Sequence, residues 1–255
     1  MTQKNIKSSV NQQFSQVAAN YSTSIVHAQG KDIQTMVASA GMSGEEIVLD
    51  AGCGAGHTAL AFAEHAAQVI AVDLSEAMLT QCRLLANGRA ITNVEFRIGD
   101  VEELPFEDDE FALVVSRYSA HHWPNPARAV AEFRRVLRPG GHFILSDVVS
   151  FEEFVIDSYM QTIEVLRDPS HVRDHTVRQW TKMMESEGFQ VEVVSEHGVW
   201  INFDSWVERM ATPSTHVVAL KSVFDGAPEE VRHELAVEQD YSFTFRGAVL
   251  RGSLK

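Results

Sequence analysis

Val48-Leu49-Asp50-Ala51-Gly52-Cys53-Gly54-Ala55-Gly56 decides how this chain is read. An apolar run ends in an aspartate and passes into glycines at every second position, so a buried strand gives way to a tight turn. Glycine is required where the backbone turns sharply and where a ligand lies against it with no Cβ between. The helix expected next, over 57–67, offers free N–H groups at 57–59 and a partial positive charge, suited to a carboxylate or phosphate.

The same rhythm extends outward. IVLD (47–50), VIAVDL (69–74), VEFRIGD (94–100), FALVVS (111–116) and HFILSDVV (142–149) read as strands, with helices at 57–67, 75–87 and 126–138 between them. Runs without polar alternation are buried on both faces, which predicts a parallel sheet covered by helices. Ser75 is placed to cap its helix, Gly88 to end it in a left-handed turn, and Pro139-Gly140-Gly141 to stop the third helix before a strand. The N-terminal stretch 1–44 is polar and helix-like. Beyond Val149, 153–167 and 176–187 read as helices, the second opening at Thr176. Then 190–201 reads as a strand, 204–238 as mostly helical, and 241–254 as a strand of period two. No linker separates this region, so it reads as an insertion on one sheet.

The 255 residues are 45% hydrophobic, enough for one large packed domain. A net charge of −14 repels phosphate backbones and anionic lipid, so neither nucleic acid nor a membrane is expected as a partner. Cys53 and Cys82 cannot supply a disulfide framework or a cysteine-only zinc site. MTQKNIKSSV lacks the apolar stretch of a secretory signal, and no apolar run reaches the ~18 residues of a spanning helix, so a cytoplasmic location is expected.

The glycine spacing narrows the ligand. A dinucleotide turn wants Gly-x-Gly-x-x-Gly, whereas His57 stands where its third glycine belongs. Asp50, just ahead of the glycines, would repel a diphosphate and attract an ammonium group. Asp73 ends the second strand, 17 residues after Gly56, where a carboxylate accepts both hydroxyls of a ribose. Asp100 ends the third strand and is placed to accept from an exocyclic amine, or else is a turn residue before Val101. A ligand with a ribose, an adenine and an amino-acid tail fits this pattern.

LDAGCGAG (49–56), AVDLSEAML (71–79), GDVEELPFEDDEFALVVSRYSAHHW (99–123) and FRRVLRPGGHFILSD (133–147) resemble the successive motifs of class I S-adenosylmethionine-dependent methyltransferases. The group most resembled includes the ubiquinone and menaquinone C-methyltransferases and many small-molecule methyltransferases. FSQVAANYSTS (14–24) is similar to the short motif that covers the cofactor there, and the likeness spans roughly 14–150. The resemblance implies S-adenosylmethionine as cofactor. It implies an α/β, Rossmann-like, seven-stranded, mostly parallel sheet with helices on both faces, an antiparallel last strand and a helical cap insertion. Within one domain, 1–45 would be a helical cofactor cover, 46–150 the cofactor-binding core, and 151–255 the cap helices with the last two strands.

By the same resemblance Gly52, Gly54 and Gly56 pass under the methionine part and Asp50 lies close to its amino group. Asp73 holds the ribose, with Leu74 and Met78 beside the adenine, and Asp100 with Val101 takes its N6 and ring edge. Arg117 opens the segment next to the sulfonium, and Tyr21 closes over the cofactor.

Methyl transfer from a sulfonium is an in-line displacement that needs no metal and no covalent intermediate. For a hydroxyl, phenol or enol acceptor, a nearby base adds ~10²–10⁴-fold. RYSAHHW (117–123) follows the fourth strand, and the crevice of an open sheet lies outside the carboxyl ends of its strands. His121 and His122 are therefore the candidate bases and Tyr118 a substrate contact. The competing reading packs one histidine on Trp123 and leaves the other in water.

The polar run 167–175 reads as a solvated loop between cap helices, or as a helical face on which His171 and His175 contact a substrate. Asp174 would not share that face, which disfavours a metal. Arg209 and Arg246 would pair with an acidic substrate or with surface carboxylates. The expected partner is a small-molecule methyl acceptor, with the accepting atom and oligomeric state open. A non-catalytic S-adenosylmethionine-binding protein and an NAD-dependent oxidoreductase are the alternatives.

Overall fold

The computed structural model describes residues 5–22 and 30–255. Seven strands form one sheet: β1 (Ile47–Ala51), β2 (Gln68–Asp73), β3 (Val94–Ile98), β4 (Phe111–Arg117), β5 (Leu137–Val148), β6 (Gln190–Ile201) and β7 (Phe243–Ser253). Their spatial order is β3-β2-β1-β4-β5-β7-β6. Strands β1 to β5 pair in parallel, and β7 runs antiparallel between β5 and β6. This is the expected seven-stranded α/β sheet with its last strand reversed.

Successive residues of one strand explain why the apolar runs are unbroken. Leu49 packs with Ile70, Val114 and Phe143 in one buried layer, and Val48 with Val69, Leu113 and Ile144 in the other. With both faces covered, alternation would place polar groups in a core, so the runs stay apolar.

Around the sheet lie α1 (Ile6–Ser22), α2 (Lys31–Ala40), α3 (His57–Ala63), α4 (Glu76–Gly88), α5 (Pro126–Val136), α6 (Phe154–Arg167), α7 (Val177–Ser186), α8 (Phe203–Arg209), α9 (Ser214–Asp225) and α10 (Glu229–Glu234). Ser75 caps α4 by accepting from the Met78 N–H, and Thr176 opens α7 with a full capping box to Gln179. Three local expectations are corrected. Gly88 lies inside α4, and Ala90 takes the left-handed conformation instead, with φ 54°. Helix α5 ends at Val136, because Leu137 already pairs with Phe111; Pro139-Gly140-Gly141 lies within an irregular stretch of β5 before His142 rejoins opposite Leu113. The region 204–238 is three short helices, restarted after Pro213 and Pro228, which sit at the N-caps of α9 and α10.

The cap has its own core. Phe151, Met160, Trp206 and Phe224 pack on Phe243 and Phe245 at the start of β7. Because β7 is reversed, its start lies beside the carboxyl end of β5, so the cap stands over the strand tips. From the other side α1 lays Phe14, Ala18 and Tyr21 onto Ala55 and Met78. Thr23 and Ser24 of the covering motif lie outside the described residues. Among the described residues no helix is long and apolar enough to cross a membrane.

Candidate active site

The strand order reverses between β1 and β4, and a crevice opens at such a point. After β1 the chain turns through Gly52, Gly54 and Gly56, with φ of +77°, +52° and +94°. A Cβ at Gly52 would stand 2.0 Å from the Ser119 Oγ, and one at Gly56 would stand 2.0 Å from the Cys82 Sγ. At Gly54 it would meet nothing within 4 Å. Two glycines thus allow the loop to pack, and the third faces open space. That space is a cavity of about 970 Å³, its mouth included.

The carboxylates at the strand tips are held in three different ways. Asp73 is fixed by the Gly54 N–H at 2.9 Å and the Ser75 N–H at 2.8 Å, one on each oxygen. Each oxygen keeps a further lone pair for a hydroxyl. Burial pushes the Asp73 pKa up, and Leu74 and Met78 line the cavity beside it. Asp100 and Val101 lie on the same wall, where Lys7 of α1 reaches Asp100 at 2.6 Å and Glu102 at 2.7 Å. Asp50 lies behind the loop, fully buried, and neither of its oxygens makes a well-formed hydrogen bond among the described residues. Burial, only weakly opposed by the Ala59 N–H, pushes its pKa from 3.8 to about 7.

Arg117 ends β4 on the opposite wall, buried and paired with Asp32 of α2, whose Oδ1 accepts from Nη2 at 2.9 Å. Ser146 donates to the same carboxylate at 3.0 Å. Burial alone would raise the Asp32 pKa, but the Arg117 charge holds it below the usual range. Tyr118 follows with φ +49° and stacks under the guanidinium, 4.4 Å from its ring centre. Burial pushes its phenol pKa up. Tyr21 closes the cavity from α1, its carbonyl 3.1 Å from His57 Nε2.

A second cavity, about 550 Å³ with its mouth, adjoins the first and shares Phe14, Tyr21, Tyr118 and His122 with it. His121 lies on its wall with Nδ1 2.7 Å from Asp147 Oδ1, and Asp147 also accepts the Ala120 N–H at 2.8 Å. Burial would lower the His121 pKa, but the Asp147 charge prevails and lifts it to about 9. His122 is 3.1 Å from the Ser170 carbonyl, and burial together with the His121 charge holds its pKa near 4. His122 is buried, and His121 keeps 15% of its side chain exposed at the cavity wall.

Residues 167–175 form neither the solvated loop nor the helical face expected. Asp168 and Asp174 are each 1% exposed, and Arg167, Ser170 and His171 are buried with them. The run is only partly satisfied. Asp168 Oδ1 accepts from the Ser170 N–H and Oγ, and His171 Nε2 lies 3.2 Å from Gln161 Oε1 of α6. Asp168 Oδ2, His171 Nδ1 and Asp174 Oδ2 are buried without a hydrogen-bond partner among the described residues. His171 packs behind His121, the rings 5.8 Å apart, whereas His175 turns away to Gln179 and Trp180. The two are not brought together, and neither lines a cavity. Arg246 pairs with Glu196 on the surface, while Arg209 lines the second cavity. Among the described residues no group of three or more His, Cys, Asp or Glu side chains converges to hold a metal ion. Asp147, Asp32 and Lys7 escape a reading by motif, because each meets its partner only through the tertiary fold.

Residues 49–145 match the family described as a methyltransferase domain. The chain is 34% identical, over 94% of its own length and 96% of the other, to the uncharacterized methyltransferase YcgJ of Bacillus subtilis. It is 39% identical to the uncharacterized protein YafE of Escherichia coli, over 71% of this chain and 88% of that one. The crystal structure of YcgJ covers 88% of this chain and 98% of its own with a TM-score of 0.85 and 32% identity. That of a putative methyltransferase from Bacillus halodurans covers 88% and 99%, with a TM-score of 0.81 and 34% identity. A likeness running the length of the chain, over a glycine turn and strand-tip carboxylates that suit the methyl donor, places this chain in the S-adenosylmethionine-dependent methyltransferase family.

Proposed function

We propose that this chain is a cytoplasmic enzyme that moves a methyl group from S-adenosylmethionine to a small organic acceptor, with His121 taking the acceptor's proton. The observation that carries the reading is the His121–Asp147 pair, 2.7 Å apart, on the wall of a cavity that adjoins the glycine-loop cavity. Residues 1–45 act as the cofactor cover, 46–150 as its binding core, and 151–255 as the acceptor cap with the last two strands. The net charge of −14 favours a small acceptor over nucleic acid.

The residues fit the cofactor. Asp73 takes the ribose hydroxyls on the lone pairs that Gly54 and Ser75 leave open, with Leu74 and Met78 against the adenine. Asp100 and Val101 meet the adenine N6 and edge once Lys7 yields its place. The turn of Gly52, Gly54 and Gly56 takes the methionine part where Gly54 faces the cavity. The buried Asp50 carboxyl behind it, with neither oxygen well hydrogen-bonded among the described residues, favours the ammonium. Arg117 and Tyr21 close the far side. When bound, the cofactor supplies a methyl on a cationic sulfur, open to in-line displacement.

The chain contributes alignment, exclusion of water and the proton. Asp147 engages Nδ1 of His121, so Nε2 is the nitrogen left for the acceptor. With a pKa near 9 the imidazole is neutral in about 1% of free molecules at pH 7, so turnover should climb with pH. Tyr118 is the substrate contact retained; His122 packs the junction of the two cavities, and His171 backs His121.

A methyl-labelled donor offered with a panel of phenols and enols tests this. Label should reach an acceptor, and His121→Gln should slow it by about 10²-fold or more at unchanged cofactor affinity. Tight cofactor binding with no transfer to any acceptor contradicts the enzyme and leaves a non-catalytic binder.

A further inference from the structure

Two arginines line the second cavity, and among the described residues nearby acids reach neither of them by a direct ion pair. Arg167 ends α6 and Arg209 ends α8, and both line the cavity. The Arg167 Nε donates to the Trp206 carbonyl at 3.3 Å, and its Nη2 reaches the Tyr21 hydroxyl at 3.5 Å. Arg209 stands 5.9 Å from the Tyr21 ring centre, with its Nε buried and lacking a hydrogen-bond partner among the described residues. Neither guanidinium forms an ion pair with a carboxylate among the described residues, in contrast to Arg117 and Arg246. Arg167 is buried and Arg209 half-buried, and burial together with the nearby Arg167 charge pulls the Arg209 pKa down, a cost that an anion seated beside both would relieve.

Glu164 and Asp168 favour the Arg167 charge from a distance, but neither accepts a hydrogen bond from, or forms an ion pair with, Arg167 or Arg209 among the described residues. Burial pushes the carboxyls of Glu164 and Asp174, on the same wall, toward their neutral forms. A protonated carboxyl donates a hydrogen bond to an anion instead of competing with it. Val199, Ile201, Trp206 and Phe245 supply the remaining apolar wall.

We infer that the acceptor is a carboxylic acid with an apolar body, its carboxylate bridging Arg167 and Arg209 and its body lying against Trp206 and Phe245. The inference rests on the second cavity being the acceptor site of the proposed methyltransferase. The planar forks of two guanidinium groups match one carboxylate, and the apolar wall beside them suits the hydrocarbon body of a carboxylic acid.

Calorimetric titration of the full chain, loaded with S-adenosylhomocysteine, tests it with benzoate and its neutral isostere benzamide as probes. Benzoate should bind at least about tenfold more tightly; Arg209→Gln should remove that preference, and Arg209→Lys should keep part of it. Unchanged S-adenosylhomocysteine affinity in R209Q would tie the lost preference to the anion site and not to misfolding. Benzoate no tighter than benzamide in the unsubstituted chain overturns the inference and leaves the methyl-donor site standing. Loss of S-adenosylhomocysteine affinity in R209Q also overturns it, assigning the arginine to the cofactor's own carboxylate. No binding of S-adenosylhomocysteine by the unsubstituted chain would overturn the methyl-donor reading itself, and the inference with it.

Discussion

At Asp50 the chain keeps an acid out of water with neither oxygen well hydrogen-bonded, and its pKa stands near 7 instead of 3.8. The folded state prefers the neutral carboxyl, so ionisation costs stability increasingly as pH rises from 3.8 to about 7. A ligand ammonium reverses that preference. Binding of S-adenosylhomocysteine below neutral pH should therefore release protons, seen as heats that depend on the buffer's ionisation enthalpy; Asp50→Asn should abolish the dependence. Buffer-independent heats in the unsubstituted chain would contradict this role. His121 has the opposite sign. Its folded pKa near 9 exceeds the ordinary 6.5, so its cation stabilises the fold fully below 6.5 and ceases to as pH climbs through about 9. Asp147→Asn should bring the imidazole pKa, followed by NMR, down to 6.5 or lower, since burial alone lowers it; an unmoved value would deny Asp147 its part. His121 was visible in the sequence because it follows an evident strand. Its partner lies 26 residues on, and Asp32 lies 85 residues from Arg117, separations no motif encodes. The run 167–175 looked solvated because polarity usually marks surface, yet the cap folds over it and buries Asp168, His171 and Asp174 with part of their hydrogen-bonding capacity unused.

The element that carries the site is the glycine loop with α3 behind it. Gly56→Ala would drive a Cβ into Cys82 at a positive φ and should cost about 3 kcal/mol of stability. Gly54→Ala meets open space and should cost only about 1 kcal/mol, from backbone strain, while its methyl intrudes on the cavity and weakens the cofactor. Urea denaturation of both variants decides; equal losses would contradict the separate uses of the two glycines. Strands were the readable elements, because a sheet covered on both faces leaves an unbroken apolar signature in IVLD and FALVVS. Helix ends were less readable. Gly88 had the conformational freedom to end α4, yet the left-handed residue is Ala90, and Pro139-Gly140-Gly141 falls inside a strand because Leu137 finds Phe111 first.

For the whole molecule, the sheet's reversal of order between β1 and β4 opens one cavity, and the reversed β7 brings the cap over a second. Part of the first could be read ahead, since Gly54, Asp73, Asp100 and Arg117 line it from the tips of successive strands, whereas Lys7 and Phe14 come to it from α1, and Asp50 and Gly56 lie behind its wall. The second draws Tyr21 from α1, Arg167 from α6, Arg209 from α8 and Phe245 from β7, and only the completed fold assembles it. The proposed use of both requires a nucleoside with a methionine arm in the first. Calorimetric titration with S-adenosylmethionine and, separately, with NAD tests that most directly. One saturable site for S-adenosylmethionine and none for NAD is the predicted result, with Asp73→Ala weakening it by about 1.5–3 kcal/mol. Heat from NAD alone, or unaltered affinity in D73A, would contradict it.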